Sequence, residues 1–95
     1  MRLIHKYELP LESGSIVIPA GATLLSVQQQ DEKPRVWVVV DPTARLVNRT
    51  IRCLGTGLDA TATEAAVPPG EYIGTVQFHW GRLVLHYFDG GEYPL

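Results

Sequence analysis

Apolar and polar side chains alternate along most of this chain with a period of two residues. The alternation is clearest in residues 72–80 and 83–88, which are rich in aromatic and β-branched residues and meet at Trp80-Gly81. Side chains with this period lie on opposite faces of a β-strand. Gly81 can adopt the positive φ of a tight turn. The two segments therefore predict a β-hairpin with Trp80 and Gly81 at its tip.

This turn also fixes the pairing of the two strands. On the apolar face, the predicted pairs are Phe78–Leu83, Val76–Leu85 and Gly74–Tyr87. We expect this face in the core, where Gly74 leaves room for the ring of Tyr87. The opposite face carries mixed side chains, as expected for a surface in contact with water or a partner.

Five further segments have the composition of strands and are separated by polar, glycine-rich or proline-rich turns. They are residues 2–9, 15–18, 22–30, 35–41 and 46–54. The continuous apolar run at 35–41 predicts a strand covered on both faces, with Trp37 in the core. The polar residues 31–34 predict a hairpin loop. Seven short strands predict an all-β fold, a small antiparallel β-sandwich or barrel in a single domain.

Two segments lack the alternation. Residues 55–69 are rich in small side chains and predict a long loop, which in a compact domain is either functional or mobile. Residues 90–95 contain two glycines and a proline and predict a turn-like, loose tail.

Composition and charge narrow the class of protein. The 95 residues are 45% hydrophobic and 19% charged, with a net charge of −2, which fits one folded domain and argues against a nucleic-acid partner. Neither a membrane-spanning apolar run nor a signal-peptide pattern is present, so we expect a cytoplasmic protein. The single cysteine, Cys53, excludes an internal disulfide and predicts a small buried side chain.

Residues suited to catalysis do not form a recognisable motif. The three histidines, His5, His79 and His86, lack the spacing of metal ligands. No nucleophile has a base in a known pattern nearby. We therefore expect no enzyme activity, no metal and no cofactor.

A loop after the fifth predicted strand is a candidate ligand site. The backbone N–H groups of Gly55, Thr56 and Gly57 could hold a phosphate, and Arg49 and Arg52 would add positive charge. The segment lacks the Walker and Rossmann patterns, and a simple turn has the same composition.

The tip of the predicted hairpin is a candidate site for a protein partner. A large ring such as Trp80 is hard to bury at a hairpin tip, and tryptophan is enriched at binding hot spots. The alternative is that the ring folds back on its own sheet. Gln77, His79 and Arg82 would share this surface. Free strand edges in a small sandwich also predict a homodimer.

Several short motifs follow one another over nearly the whole chain. They are IHKYEL at 4–9, IPAGA at 18–22, LSVQ at 25–28, a Trp at 37 with VDP at 40–42, GTG at 55–57, GEYIGTVQ at 70–77 and LVLHYF at 83–88. This series resembles a family of small uncharacterised bacteriophage and prophage proteins, known as a domain of unknown function. The resemblance implies a phage or bacterial origin, and for a phage protein the host cytoplasm as its location. It implies no activity.

These observations predict a non-enzymatic phage accessory or host-interaction protein that acts through a β-sheet surface. One alternative is a small-ligand protein that binds or sequesters a nucleotide-like molecule at the loop of residues 55–57. A further alternative is a component of the virion or of its assembly, which the fold by itself does not distinguish from the others.

Overall fold

The computed structural model describes residues 1–57 and 70–95, which form seven β-strands. The strands are β1 (Leu3–Glu8), β2 (Gly14–Pro19), β3 (Thr23–Gln30), β4 (Lys33–Val40), β5 (Leu46–Gly55), β6 (Glu71–Phe78) and β7 (Leu83–Pro94). The predicted all-β fold of about seven strands is confirmed. Of the predicted loop at 55–69, Gly55 ends β5, and residues 58–69 lie outside the described residues.

The strands form two antiparallel sheets that pack as a β-sandwich. One sheet has the strand order β1-β4-β3 and the other has the order β2-β5-β7-β6. β5 and β6 run in the same direction on either side of β7. The two sheets come closest where β3 lies against β6. This contact between sheets decides which turns become neighbours.

The core lies between the sheets and is built from alternate residues of each strand. β4 shows the rule, because Val36, Val38 and Val40 are fully buried. The expectation that β4 is covered on both faces is wrong, since the intervening residues are half-buried. Trp37, which we expected in the core, is one of them. These side chains lie on the face of β4 that points away from the second sheet.

The β6–β7 hairpin pairs in the predicted register. Phe78 pairs with Leu83, Val76 with Leu85, and Gly74 with Tyr87. All the apolar side chains of these pairs are buried except Leu83, which lies beside the turn and is 36% exposed. The apolar face of the hairpin is therefore the core face, as the alternation predicted.

The atoms nearest to a side chain at Gly74 belong to Val27 of β3. A Cβ atom at Gly74 would lie 2.9 Å from the Cβ of Val27 and 3.2 Å from the backbone nitrogen and oxygen of Val27. The backbone of Val27 is held in the other sheet by its pairing with Val36. β6 can approach β3 this closely only because Gly74 has no side chain.

A hydrogen bond from Tyr87 links the β1–β2 connection to the core. Its ring is fully buried, and its hydroxyl donates a hydrogen bond of 2.6 Å to the carbonyl oxygen of Pro10. Its β5 neighbour Cys53 donates a backbone hydrogen bond of 2.9 Å to the hydroxyl of Ser13. Burial raises the pKa of both the Tyr87 hydroxyl and the Cys53 thiol. Cys53 is thus the small buried side chain that the sequence predicted.

The C-terminal residues extend β7 to Pro94, whereas the sequence predicted a loose tail over 90–95. They pair with the first half of β5, from Arg49 opposite Glu92 to Val47 opposite Pro94. The pairing changes register between Glu92 and Asp89, where the two glycines lie. The glycines that resembled a turn therefore form a bulge, and the strand continues beyond it.

Replacing Gly74 by alanine should lower the free energy of unfolding by about 2 kcal/mol, because the new methyl group overlaps Val27. Gly14 in β2 provides the control, since a Cβ there meets nothing closer than 3.5 Å. Gly14→Ala should change stability by no more than about 0.5 kcal/mol. Urea unfolding measures both variants, and equal stabilities would contradict the role given to Gly74.

Candidate functional site

Two hairpin turns lie side by side at one end of the sandwich. The β3–β4 turn is Asp31-Glu32, because Lys33 already pairs with Gln30. It is therefore shorter than the four-residue loop predicted over 31–34. The β6–β7 turn consists of residues 79–82. The turns are neighbours because β3 packs against β6 and both strands lead to this end.

A groove of about 560 Å³ opens between the two turns, and we refer to it as the tip groove. Its lining includes Leu11 from the β1–β2 connection, Gln29 and Glu32 from β3 and its turn, and Gln77, Phe78, His79, Trp80 and Leu83 from the β6–β7 hairpin. Three separate parts of the chain form the groove, so it depends on the complete fold.

Leu11 lies at the groove because hydrogen bonds hold its neighbours in the β1–β2 connection against the core. Pro10 accepts the hydrogen bond from buried Tyr87, and Ser13 is bonded to the backbone of Cys53. The thiol of Cys53 also donates a weak hydrogen bond of 3.7 Å to the carbonyl oxygen of Leu11. This wall of the groove is therefore fixed by β5 and β7.

Both turns hold bulky residues in the left-handed backbone conformation. The φ angles are +54° at Asp31, +61° at Glu32, +53° at His79 and +60° at Trp80, and no other non-glycine residue in 1–57 and 70–95 has a positive φ. The conformation costs an ordinary residue roughly 1–2 kcal/mol. Aspartate and histidine are among the residues that adopt it most readily, whereas glutamate and tryptophan are not.

The second residue of each pair is the exceptional one. Glycine adopts the left-handed conformation without steric cost, whereas glutamate and tryptophan do not. Glu32 and Trp80 occupy the second position here, and both line the tip groove. Each turn therefore presents to the groove a large side chain at a position where glycine would be more stable.

The ring of Trp80 is 100% exposed, so it does not fold back on its own sheet. Its backbone is nevertheless well defined by hydrogen bonds on either side. The N–H of Gly81 donates to the carbonyl of Phe78, and the N–H of Arg82 donates to that of His79, both at 3.1 Å. A rigid turn thus carries a fully solvated indole.

The structure brings together three of the four residues predicted for a partner site. Gln77, His79 and Trp80 line the tip groove. Arg82 lies in the same turn and is exposed, but it is not part of the lining. The sequence reasoning missed Glu32 and the other residues from outside the hairpin. The strand-like segments on both sides of Asp31-Glu32 were the available signal for a two-residue turn.

The residues predicted as a ligand loop do not form one site. Gly55 ends β5, and the hydroxyl of Thr56 lies 2.6 Å from Nε2 of His86. The other ring nitrogen of His86 lies 2.9 Å from the hydroxyl of Thr75, which is 2.6 Å from that of Tyr72. Thr56 therefore belongs to a chain of hydrogen bonds across β6 and β7. Nucleotide-like ligand binding at this loop stays a prediction.

Arg49 is held at the opposite end of the sandwich. Its Nη2 and Nε atoms donate to the two carboxylate oxygens of Asp89 at 2.6 and 2.8 Å. Nη1 donates to the carbonyl of Ala22 at 2.8 Å and lies 3.7 Å from the carboxylate of Glu92. These bonds join β5, β7 and the start of β3. The structure thus separates Arg49 from the loop with which the sequence grouped it, and Arg52 lies on β5 opposite Phe88.

Hydrogen bonding sets the charge states of this network. The bond to Asp89 raises the pKa of Arg49, although burial opposes the increase. Burial by itself would raise the pKa of Asp89, but the bonds from Arg49 and from the N–H of Gly91 outweigh it and lower that pKa. Both groups are therefore charged at neutral pH.

The fold is a small all-β sandwich with a groove between two of its hairpin turns. The chain belongs to the domain of unknown function DUF7352, which matches residues 1–93. Membership confirms an uncharacterised domain family, while a phage origin stays a prediction. No curated protein and no solved structure matches the chain.

Within residues 1–57 and 70–95, no cluster of three or more His, Cys, Asp or Glu side chains could hold a metal ion. Over the same ranges, no helix has the length and apolar character needed to cross a membrane.

Replacing Trp80 by glycine should raise the free energy of unfolding by about 1 kcal/mol, because the left-handed strain disappears and no buried contact is lost. The melting temperature should increase by roughly 5 °C. Trp80→Ala is the control, since alanine retains the strain and should leave stability unchanged. Calorimetry on both variants would contradict the strain if glycine conferred no gain over alanine.

Replacing Asp89 by asparagine should lower the free energy of unfolding by about 3 kcal/mol at pH 7, because Arg49 loses its closest counter-charge. The contribution of Asp89 is complete above its ordinary pKa of about 3.9 and is lost as the pH falls through its lowered folded-state pKa. The difference between wild type and Asp89→Asn should therefore shrink below about pH 4. Urea unfolding at several pH values measures it.

Glu8 offers a matched control, since its ion pair with Lys33 spans 3.7 Å between side chains that are more than half exposed. Glu8→Gln should cost no more than about 0.5 kcal/mol. A similar loss in both variants would mean that burial of the Arg49–Asp89 pair has no special importance.

Proposed function

We propose that this protein is a non-enzymatic interaction module that binds a partner protein in the tip groove, with Trp80 as its anchor. One observation carries the proposal. A fully exposed tryptophan occupies a backbone position at which glycine would be more stable. The side chain contributes no burial to the fold, so its contribution is to binding.

The same reasoning applies independently to the second turn. Glu32 also takes a left-handed position without a stabilising contact among the described residues, and it faces the same groove. Backbone strain that is not compensated by stabilising contacts within the fold is typical of functional sites. Two such positions, in different turns and lining one groove, support recognition better than either would alone.

The shape of the site suits a side chain or short segment from a partner. A volume of about 560 Å³ lies within the range of well-formed binding sites. The apolar residues Leu11 and Leu83 border it, and a partner would cover the exposed part of each. At protein–protein interfaces, tryptophan is among the residues that contribute most to the free energy of binding. The turns are short and hydrogen-bonded, so little ordering would be needed on binding.

The resemblance to phage proteins adds a biological setting to this proposal. In that setting the module is a phage accessory protein and the partner is a host protein. A host partner would be met in the cytoplasm.

Affinity capture from a lysate of the host cell tests the proposal with four immobilised forms. Wild type should retain a specific protein, whereas Trp80→Ala and Trp80→Gly should both lose it. The glycine variant is expected to be the more stable protein, so a loss of capture there cannot come from unfolding. Tyr93→Ala is the control, because Tyr93 is a half-exposed aromatic residue near the C-terminal end of β7 and is not part of the groove lining.

The captured protein is then purified and its affinity measured directly. Substitution of Trp80 should weaken binding at least tenfold, the typical effect of a hot-spot residue. Equal capture by wild type and Trp80→Ala, or equal loss in Tyr93→Ala, would contradict a role for the tip groove.

A further inference from the structure

We infer that the tip groove accepts a positively charged side chain, arginine or lysine, from an exposed segment of the partner, an inference that rests on the proposed function. The observations that carry it are the charge of the groove lining, the exposed indole and the apolar borders. Each fits a different part of such a side chain.

The charge of the lining is negative. Among the described lining residues, Glu32 is the one carboxylate and there is no lysine or arginine, and Asp31 precedes Glu32 in the same turn. In the described part of the chain, no ion pair is formed by either carboxylate. Arg82, the cation of the neighbouring turn, is not among the lining residues. An incoming cation would therefore find a carboxylate without an ion-pair partner and, among the described lining residues, no lysine or arginine.

Trp80 adds a second attraction for a cation. The face of an indole ring carries negative potential and is the best aromatic partner for a guanidinium or ammonium group. Because the ring is fully solvated, both of its faces are open to a ligand. A cation placed over the indole and beside Glu32 would be attracted by both.

The apolar borders suit the stem of the same side chain. Arginine and lysine bury their methylene groups against apolar surface while the charged head remains in a polar environment. Leu11 and Leu83 border the groove, and the amides of Gln29 and Gln77 provide hydrogen-bonding groups beside them. A purely apolar ligand would cover Glu32 and leave its charge unpaired, which is unfavourable. An acidic ligand would be repelled by Glu32 and Asp31.

Titration of the isotope-labelled protein with short capped peptides, followed by NMR, tests the inference. Three peptides of equal length contain two arginines, two norleucines or two glutamates in the same positions. The Trp80 indole N–H signal, assigned from its absence in Trp80→Phe, reports occupancy. The arginine peptide should shift this signal with saturation, and the other two should bind at least tenfold more weakly. Added salt should reduce the affinity of the arginine peptide.

Glu32→Gln tests the carboxylate while retaining the size and backbone geometry of the turn. It should weaken the arginine peptide by about fivefold, as expected for one exposed charge pair. Glu71→Gln is the control, because it removes the same charge at the opposite end of β6 and should leave the affinity unchanged.

The outcomes separate this inference from the proposed function. Similar affinities for the three peptides, no shift with arginine, or no effect of Glu32→Gln would overturn the preference for a cation. Each of these results leaves the proposed function intact if capture of the partner still requires Trp80. Capture that is independent of Trp80 would overturn the proposed function itself.

Discussion

The close approach of β6 to β3 is the contact on which both the fold and the site depend. Val27 occupies the volume that a side chain at position 74 would fill, so the two sheets meet with backbone against side chain. The same approach brings the turns after β3 and β6 together. The tip groove is therefore a consequence of how the sandwich closes, and neither hairpin would form it alone.

The two ends of the molecule differ in the way their polar groups are satisfied. At one end, Arg49, Asp89 and Glu92 bind one another and the backbone of the β2–β3 turn. At the other end, Glu32 and Trp80 make no comparable contacts among the described residues. Charged groups that satisfy each other stabilise a fold, whereas groups left without partners are available to a ligand. This asymmetry is the physical basis for assigning recognition to the turns.

Alternation predicted much of the fold, because the period of two fixes which residues of a strand share a face. It placed Phe78, Val76, Leu85 and Tyr87 correctly in the core, with the correct partners. It failed for Trp37, since an apolar run does not reveal that one face of β4 points away from the second sheet. It also failed at Gly90 and Gly91, where the residues of a turn form a bulge instead. The groove could be anticipated only from the hairpin side, because contacts between β3 and β6 are remote in sequence and leave no local pattern.

The solvated position of Trp80 has a consequence for how such a module can change over time. A substitution at this residue or at Glu32 alters the surface of the tip groove without removing a buried side chain. Under the proposed function, selection for a different partner can therefore act on two turn residues while the sandwich stays intact. The left-handed backbone at both positions restricts this freedom, because β-branched residues and proline do not adopt it readily.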